Sequence, residues 1–132
     1  MTAQSEGLVY IVDDDDPVRD SMKVLLEACA YDVRDFTSCG DFIEQFDGDP
    51  RACLLLDLHL PVMSGLEFME RYRKALNGMP VIMVTGRGDA ATAARARDAG
   101  VSIVLEKPFD EDVLLDEIHR LLPQKEPVPV AP

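Results

Sequence analysis

Apolar positions along the chain switch between two rhythms. Leu8–Val12, Cys53–Leu56, Val81–Val84 and Ile103–Leu105 are short, unbroken apolar runs, the pattern of strands buried on both faces of a parallel sheet. Between them the spacing turns helical. Val18, Met22, Leu25, Leu26 and Cys29 give an amphipathic first helix, with Asp16 as its predicted N-cap and Pro17 at its first position. Asp32–Phe36 alternates weakly and reads as a short second strand at a sheet edge. Ser38 and Asp41 resemble a capping box. Behind them Phe42, Ile43 and Phe46 form the buried face of helix two, which Gly48-Asp49-Pro50 ends. After a turn at Pro61–Gly65, the residues Leu66, Met69 and Leu76 predict helix three, closed by Asn77-Gly78. Ala90–Ala99 predicts a fourth helix with a modest apolar face. Leu114, Leu115, Ile118, Leu121 and Leu122 line a fifth, with Asp110, Glu111 and Asp112 at its start. Five strands alternating with five helices require helical crossovers and a parallel sheet, so the fold class is α/β, a three-layer sandwich.

Composition narrows the function. The 132 residues suit one domain. The expected organisation is a disordered N-terminus over 1–7, a folded domain over 8–122 and a Pro-rich tail or linker over 123–132. No apolar run approaches the ~20 residues of a membrane span, and Met1–Gly7 is unlike a secretory signal, so the expected location is cytoplasmic. Cys29, Cys39 and Cys53 include no CxxC pair and read as reduced core thiols. A net charge of −12 opposes direct nucleic-acid binding, because the phosphate backbone would be repelled. It favours divalent metal or a basic protein surface.

Each strand's carboxyl end carries a chemical group: Asp13 and Asp14 after strand one, Asp57 after strand three, Thr85 after strand four and Lys107 after strand five. Open α/β sheets bind ligands at this edge. If strands one and three are neighbours, ~4.8 Å apart, the three carboxylates converge and need a cation between them. The hard cation for an oxygen-only site is Mg²⁺, or Mn²⁺. Taken singly, Asp13–Asp16 is an acidic helix start, Thr85 a turn hydroxyl and Lys107 a solvated lysine. Their joint placement carries the argument.

Ile-Val-Asp-Asp at 11–14, Leu-Leu-Asp at 55–57 with Pro61 four residues on, Val-Thr-Gly at 84–86 and Glu-Lys-Pro-Phe at 106–109 resemble the receiver domain of two-component response regulators. Val-Asp-Asp-Asp-Asp-Pro-Val-Arg at 12–19 and Thr-Gly-x-Gly-Asp at 85–89 look most like its FixJ subgroup. The resemblance covers residues ~8 to ~122 in the family's order. It implies a flavodoxin-like (βα)5 fold with strand order 2-1-3-4-5, and a phosphorylation-activated switch rather than an enzyme. Asp57 would take a phosphoryl group from a sensor histidine kinase or phosphotransfer protein. Asp14 and Asp57 would hold Mg²⁺ directly, Asp13 through water, and the backbone carbonyl of His59 would complete the protein ligands. Lys107 would pair with a phosphoryl oxygen, and Thr85 with another once phosphate is present. Lys107-Pro108 would be a cis peptide. The helix 4–strand 5–helix 5 face would carry the output, including a phosphorylation-dependent homodimer. The His59 side chain faces either this site or solvent, and Arg87 shares that ambiguity. The sequence departs from the family at Val104, where Tyr or Phe is usual.

Other readings fit less well. A haloacid-dehalogenase phosphatase needs Asp-x-Asp after its first strand, whereas this chain has Asp57-Leu58-His59 after its third. An EF-hand loop from Asp13 would require Gly at Val18 and Glu at Val24. A flavin site would need a phosphate-cradling loop where acids stand. The remaining alternative is a phosphate-independent pseudo-receiver acting as a protein-interaction module. Asp13, Asp14, Asp57, Thr85 and Lys107 together argue against it.

Overall fold

A computed structural model describes residues 5–86 and 88–122. Along the chain run β1 (Leu8–Val12), α1 (Asp16–Ala28), β2 (Asp32–Phe36), α2 (Cys39–Gln45), β3 (Cys53–Asp57), α3 (Gly65–Tyr72), β4 (Val81–Thr85), α4 (Ala90–Asp98), β5 (Ile103–Glu106) and α5 (Glu111–Leu121). The five strands form one sheet in the order β2-β1-β3-β4-β5, and every pairing is parallel. This is the flavodoxin-like α/β sandwich that the resemblance implies, with β2 at an edge.

Alternation along the strands divides the core in two, because successive side chains leave a strand on opposite faces. Tyr10, Val12, Leu54, Leu56, Val81 and Met83 face one way and pack with Phe42, Phe68 and Ala96 of α2, α3 and α4. Val9, Ile11, Cys53, Leu55, Ile82 and Val84 face the other way and meet Leu26, Leu114 and Ile118 of α1 and α5. β3 and β4 are buried along their whole length, as their unbroken apolar runs require. Phe42 anchors an aromatic group, its ring centroid 5.2 Å from Tyr10 and 6.0 Å from Phe68. Cys29, Cys39 and Cys53 are free thiols, and burial pushes Cys39 and Cys53 up to about 12, which makes them inert core residues.

Two local expectations change. The N-cap of α1 is Asp15 rather than Asp16: the Asp15 carboxylate accepts from the Val18 amide at 3.1 Å. Asp16 lies within the helix, and its carboxylate turns to Arg19 at 2.5 Å. Helix three does not run unbroken to Leu76. The α-helix ends at Tyr72 and tightens into a 3-10 turn over Arg73–Leu76, which Asn77 closes in the left-handed region at φ 56°. Backbone pairing also starts before β1, where Glu6 N donates to Ala30 O and Asp32 N donates to Gly7 O, both at 2.9 Å. Residues 1–4 of the expected disordered N-terminus, Arg87 and the Pro-rich stretch 123–132 lie outside the described residues. Among the described residues no helix is long and apolar enough to cross a membrane.

Candidate functional site

The site follows from β1 lying between β2 and β3. Val12 is level with Leu56, so Asp13 emerges beside Asp57, the last residue of β3. One carboxylate oxygen from each of Asp13, Asp14 and Asp57 lies within 4.8 Å of the others. Asp13 is buried at 2 % exposure and Asp57 at 9 %, while Asp14 is exposed. Burial raises the Asp13 carboxyl above its ordinary 3.8. The Asp15 amide, which donates to Asp13 Oδ1 at 2.9 Å, offsets part of this, and the charge of Asp57 adds to the rise. A buried acid pushed up beside two more acids is a group short of positive charge.

Lys107 supplies some of that charge. Its Nζ stands 3.9 Å from Asp57 Oδ2, too far for a hydrogen bond but within ion-pair range. The other oxygen, Asp57 Oδ1, accepts from the His59 amide at 3.0 Å. The Lys107 amide donates to Thr85 O at 2.7 Å, and the Lys107-Pro108 peptide is cis. Thr85 is fully buried, with Oγ1 3.2 Å from His59 Nε2. The imidazole touches the strand-end cluster through Thr85 while His59 stays exposed to solvent, so the two placements open in the sequence are not exclusive. Val104, half-buried, packs against the α2–α4 core.

Close packing fixes the strand end from below. A Cβ on Gly65 would come within 2.4 Å of the Asp57 carbonyl oxygen, so only glycine lets α3 begin this near to β3. The Gly65 amide donates to Leu58 O at 3.0 Å.

Sequence reasoning missed Arg19. It is 9 % exposed and donates to Asp13 O at 2.8 Å, to Asp35 Oδ2 at 2.9 Å and to Asp16 Oδ1. Burial would raise the Asp35 carboxyl, but the Arg19 hydrogen bond and the nearby Lys23 outweigh it and hold Asp35 below the usual range. A signal was available: Arg19 stands seven residues before Leu26, two helical turns back on the buried face.

The arrangement offers an oxygen-only cluster for a hard cation, an ammonium within ion-pair range of one of its carboxylates and a buried hydroxyl one strand away. A model of the response regulator receiver domain family matches residues 9–119. The chain belongs to that family. This receiver domain is 32% identical over 123 residues to the transcriptional regulatory protein FixJ of Bradyrhizobium diazoefficiens, a match that covers 93% of this chain and 60% of that protein. It is 35% identical over 114 residues to FixJ of Azorhizobium caulinodans, covering 86% of this chain and 54% of the relative. The chain thus spans little more than half the length of these relatives. Among solved structures it is similar to the crystal structure of FixJ-N, with a TM-score of 0.80, 32% identity, and 89% of this chain and 94% of that one covered. Receiver domains are signalling domains rather than metabolic enzymes, and the relatives are regulators.

Proposed function

We propose that this receiver domain is a phosphorylation-activated switch, with Asp57 as phosphoacceptor and Asp13, Asp14, Asp57 and the His59 carbonyl as the residues that would hold Mg²⁺ (or Mn²⁺). One observation carries the reading. Asp57 shares a cluster with two other acids, the three carboxylates each placing an oxygen within 4.8 Å of the others, and a lysine ammonium stands 3.9 Å from its Oδ2. The donor set fits the ion: three carboxylates are the ligands a hard cation takes. When bound, the ion neutralises charge that builds between the carboxylate and the arriving phosphoryl oxygens.

A carboxylate is a weak nucleophile, so placement and charge must supply the catalysis. An oxygen of Asp57 attacks the phosphorus of a phosphohistidine on a sensor kinase or phosphotransfer protein. The P–N bond breaks as the P–O bond forms, and the leaving imidazole nitrogen takes a proton from water. Lys107 takes one phosphoryl oxygen. Thr85 exchanges its contact with His59 for a second, drawing in the β4–α4 loop and so biasing the α4–β5–α5 face. Hydrolysis of the acyl phosphate returns Asp57 to carboxylate and ends the signal. FixJ is a transcriptional regulator, and by that likeness the output here is control of an effector or partner.

Intact mass after incubation with acetyl phosphate tests the assignment. A gain of one phosphoryl group is expected with Mg²⁺, falling at least tenfold without it and disappearing in Asp57→Asn. A gain that survives Asp57→Asn would place the chemistry on another residue. No gain together with no Mg²⁺ binding would leave the phosphate-independent interaction module.

A further inference from the structure

A cleft of about 610 Å³ opens between α3 and α4 and takes in Arg71, Arg73, Lys74 and Arg95. These are four of the thirteen lysines and arginines in a chain of net charge −12. All four are exposed, and the buried Met69 and Ala99 provide an apolar floor. The cleft lies away from Asp57. Its walls come from the carboxyl-terminal ends of α3 and α4, and it shares Arg73 and Lys74 with a groove running on to Gly78, Gly100 and Ser102 near the strand starts.

Two of the cations hold the walls together. Arg95 Nη2 meets Glu70 Oε1 at 3.0 Å, and Arg73 Nη1 donates to Asp98 O at 3.1 Å. Arg73 lies across Gly100, where a Cβ would come within 2.5 Å of its Cδ. The side chains of Arg71 and Lys74 make no ion pair or hydrogen bond with any described residue. Favourable charges at helix ends explain Arg71 and Arg95 in part. They do not explain two unpaired cations gathered in a concave place on a chain so rich in acids.

We propose that this cleft docks an acidic, extended peptide segment of a partner protein. Arg71, Arg73 and Lys74 succeed one another along the α3 wall, opposite Arg95 paired to Glu70 and near Asp98, a spread that suits a row of carboxylates better than a single phosphate. The acidic surround would repel a large polyanion such as duplex nucleic acid, so the ligand must be local and narrow. The aliphatic stems of the cations with Met69 and Ala99 can take apolar side chains that alternate with acids along an extended strand. The proposal does not depend on phosphorylation.

Fluorescence anisotropy with a labelled eight-residue peptide of alternating aspartate and valine tests it. Saturable binding that weakens with salt is expected. It should fall at least tenfold in Arg71→Glu/Lys74→Glu, whose side chains have no partners to lose among the described residues, and persist in Asp57→Asn. The control Arg51→Glu/Arg120→Glu makes the same charge change outside the cleft and should bind normally. Three results would overturn the proposal: no binding, equal loss in the control, or tighter binding of inorganic pyrophosphate than of peptide at the same residues. Retained binding in Asp57→Asn separates it from the phosphoacceptor assignment, which the mass measurement tests alone.

Discussion

Asp13 is held against its own preference. It is buried at 2 % exposure, burial lifts its carboxyl above the ordinary 3.8, and Asp57 and Asp14 add to the lift. An acid whose folded value is raised favours folding only when protonated. Its ionised form costs stability at neutral pH, and that cost disappears as pH falls through the raised value. Asp13→Asn keeps an oxygen to accept from the Asp15 amide while removing the charge. The variant should melt a few degrees higher without metal, on the order of 1 kcal/mol for a domain of this size. The native chain should in turn gain roughly 2.7 kcal/mol at Mg²⁺ one hundred times its dissociation constant, and the variant much less. Thermal melts with and without Mg²⁺ check both signs; a metal-free variant that melts lower would mean the carboxylate is not a liability. The group at this site was legible because chemistry-bearing residues interrupt apolar runs. The ring of His59 and the buried Arg19 were not so plain, since each depends on how one side chain leaves a turn or helix.

The elements were legible wherever period and punctuation agreed. Cys53–Leu56 could be little except a central strand, and Asn77-Gly78 did close the third helical segment, although its last turn is 3-10. The start of α1 shows why boundaries resist such reading. Four consecutive aspartates, Asp13–Asp16, precede Pro17, and proline is tolerated throughout a first turn, so reading Pro17 as the first position puts the cap on Asp16, one residue too late. The backbone resolves it: Asp15 is extended and accepts from Val18 N, while Asp16 is already helical. Replacing each by alanine tests this. Asp15→Ala should lower stability by about 1 kcal/mol through loss of the cap. Asp16→Ala, which loses one exposed partner of Arg19, should cost less than about 0.5 kcal/mol. Urea midpoints distinguish the two, and the reverse ranking would return the cap to Asp16.

At the scale of the whole molecule, alternation of strands and helices dictates a parallel sheet but not the order of its strands. That order came from family resemblance, and it is what brings Asp13 beside Asp57. The same order leaves β5 paired only with β4 among the described residues, so none of them covers its outer edge as a strand. Within α4 the only buried residue is Ala96, whereas α5 buries Leu114 and Ile118. A helix held by so little apolar area belongs to the low-stability part of a fold. Its N-cap, Asp89, stands four residues after Thr85. Movement of Thr85 towards a phosphoryl group would therefore reach α4 before the better-anchored elements. With Val113 on α5 44% exposed, the α4–β5–α5 face has a strand edge that no described strand covers, an exposed apolar residue and a loosely held helix, which suits a contact made in one state only. Sedimentation velocity at tens of micromolar protein should show a faster species with acetyl phosphate and Mg²⁺, and none in Asp57→Asn. If intact mass shows phosphorylation while sedimentation stays unchanged, the output is not a dimer, and the same face must act by binding a different chain.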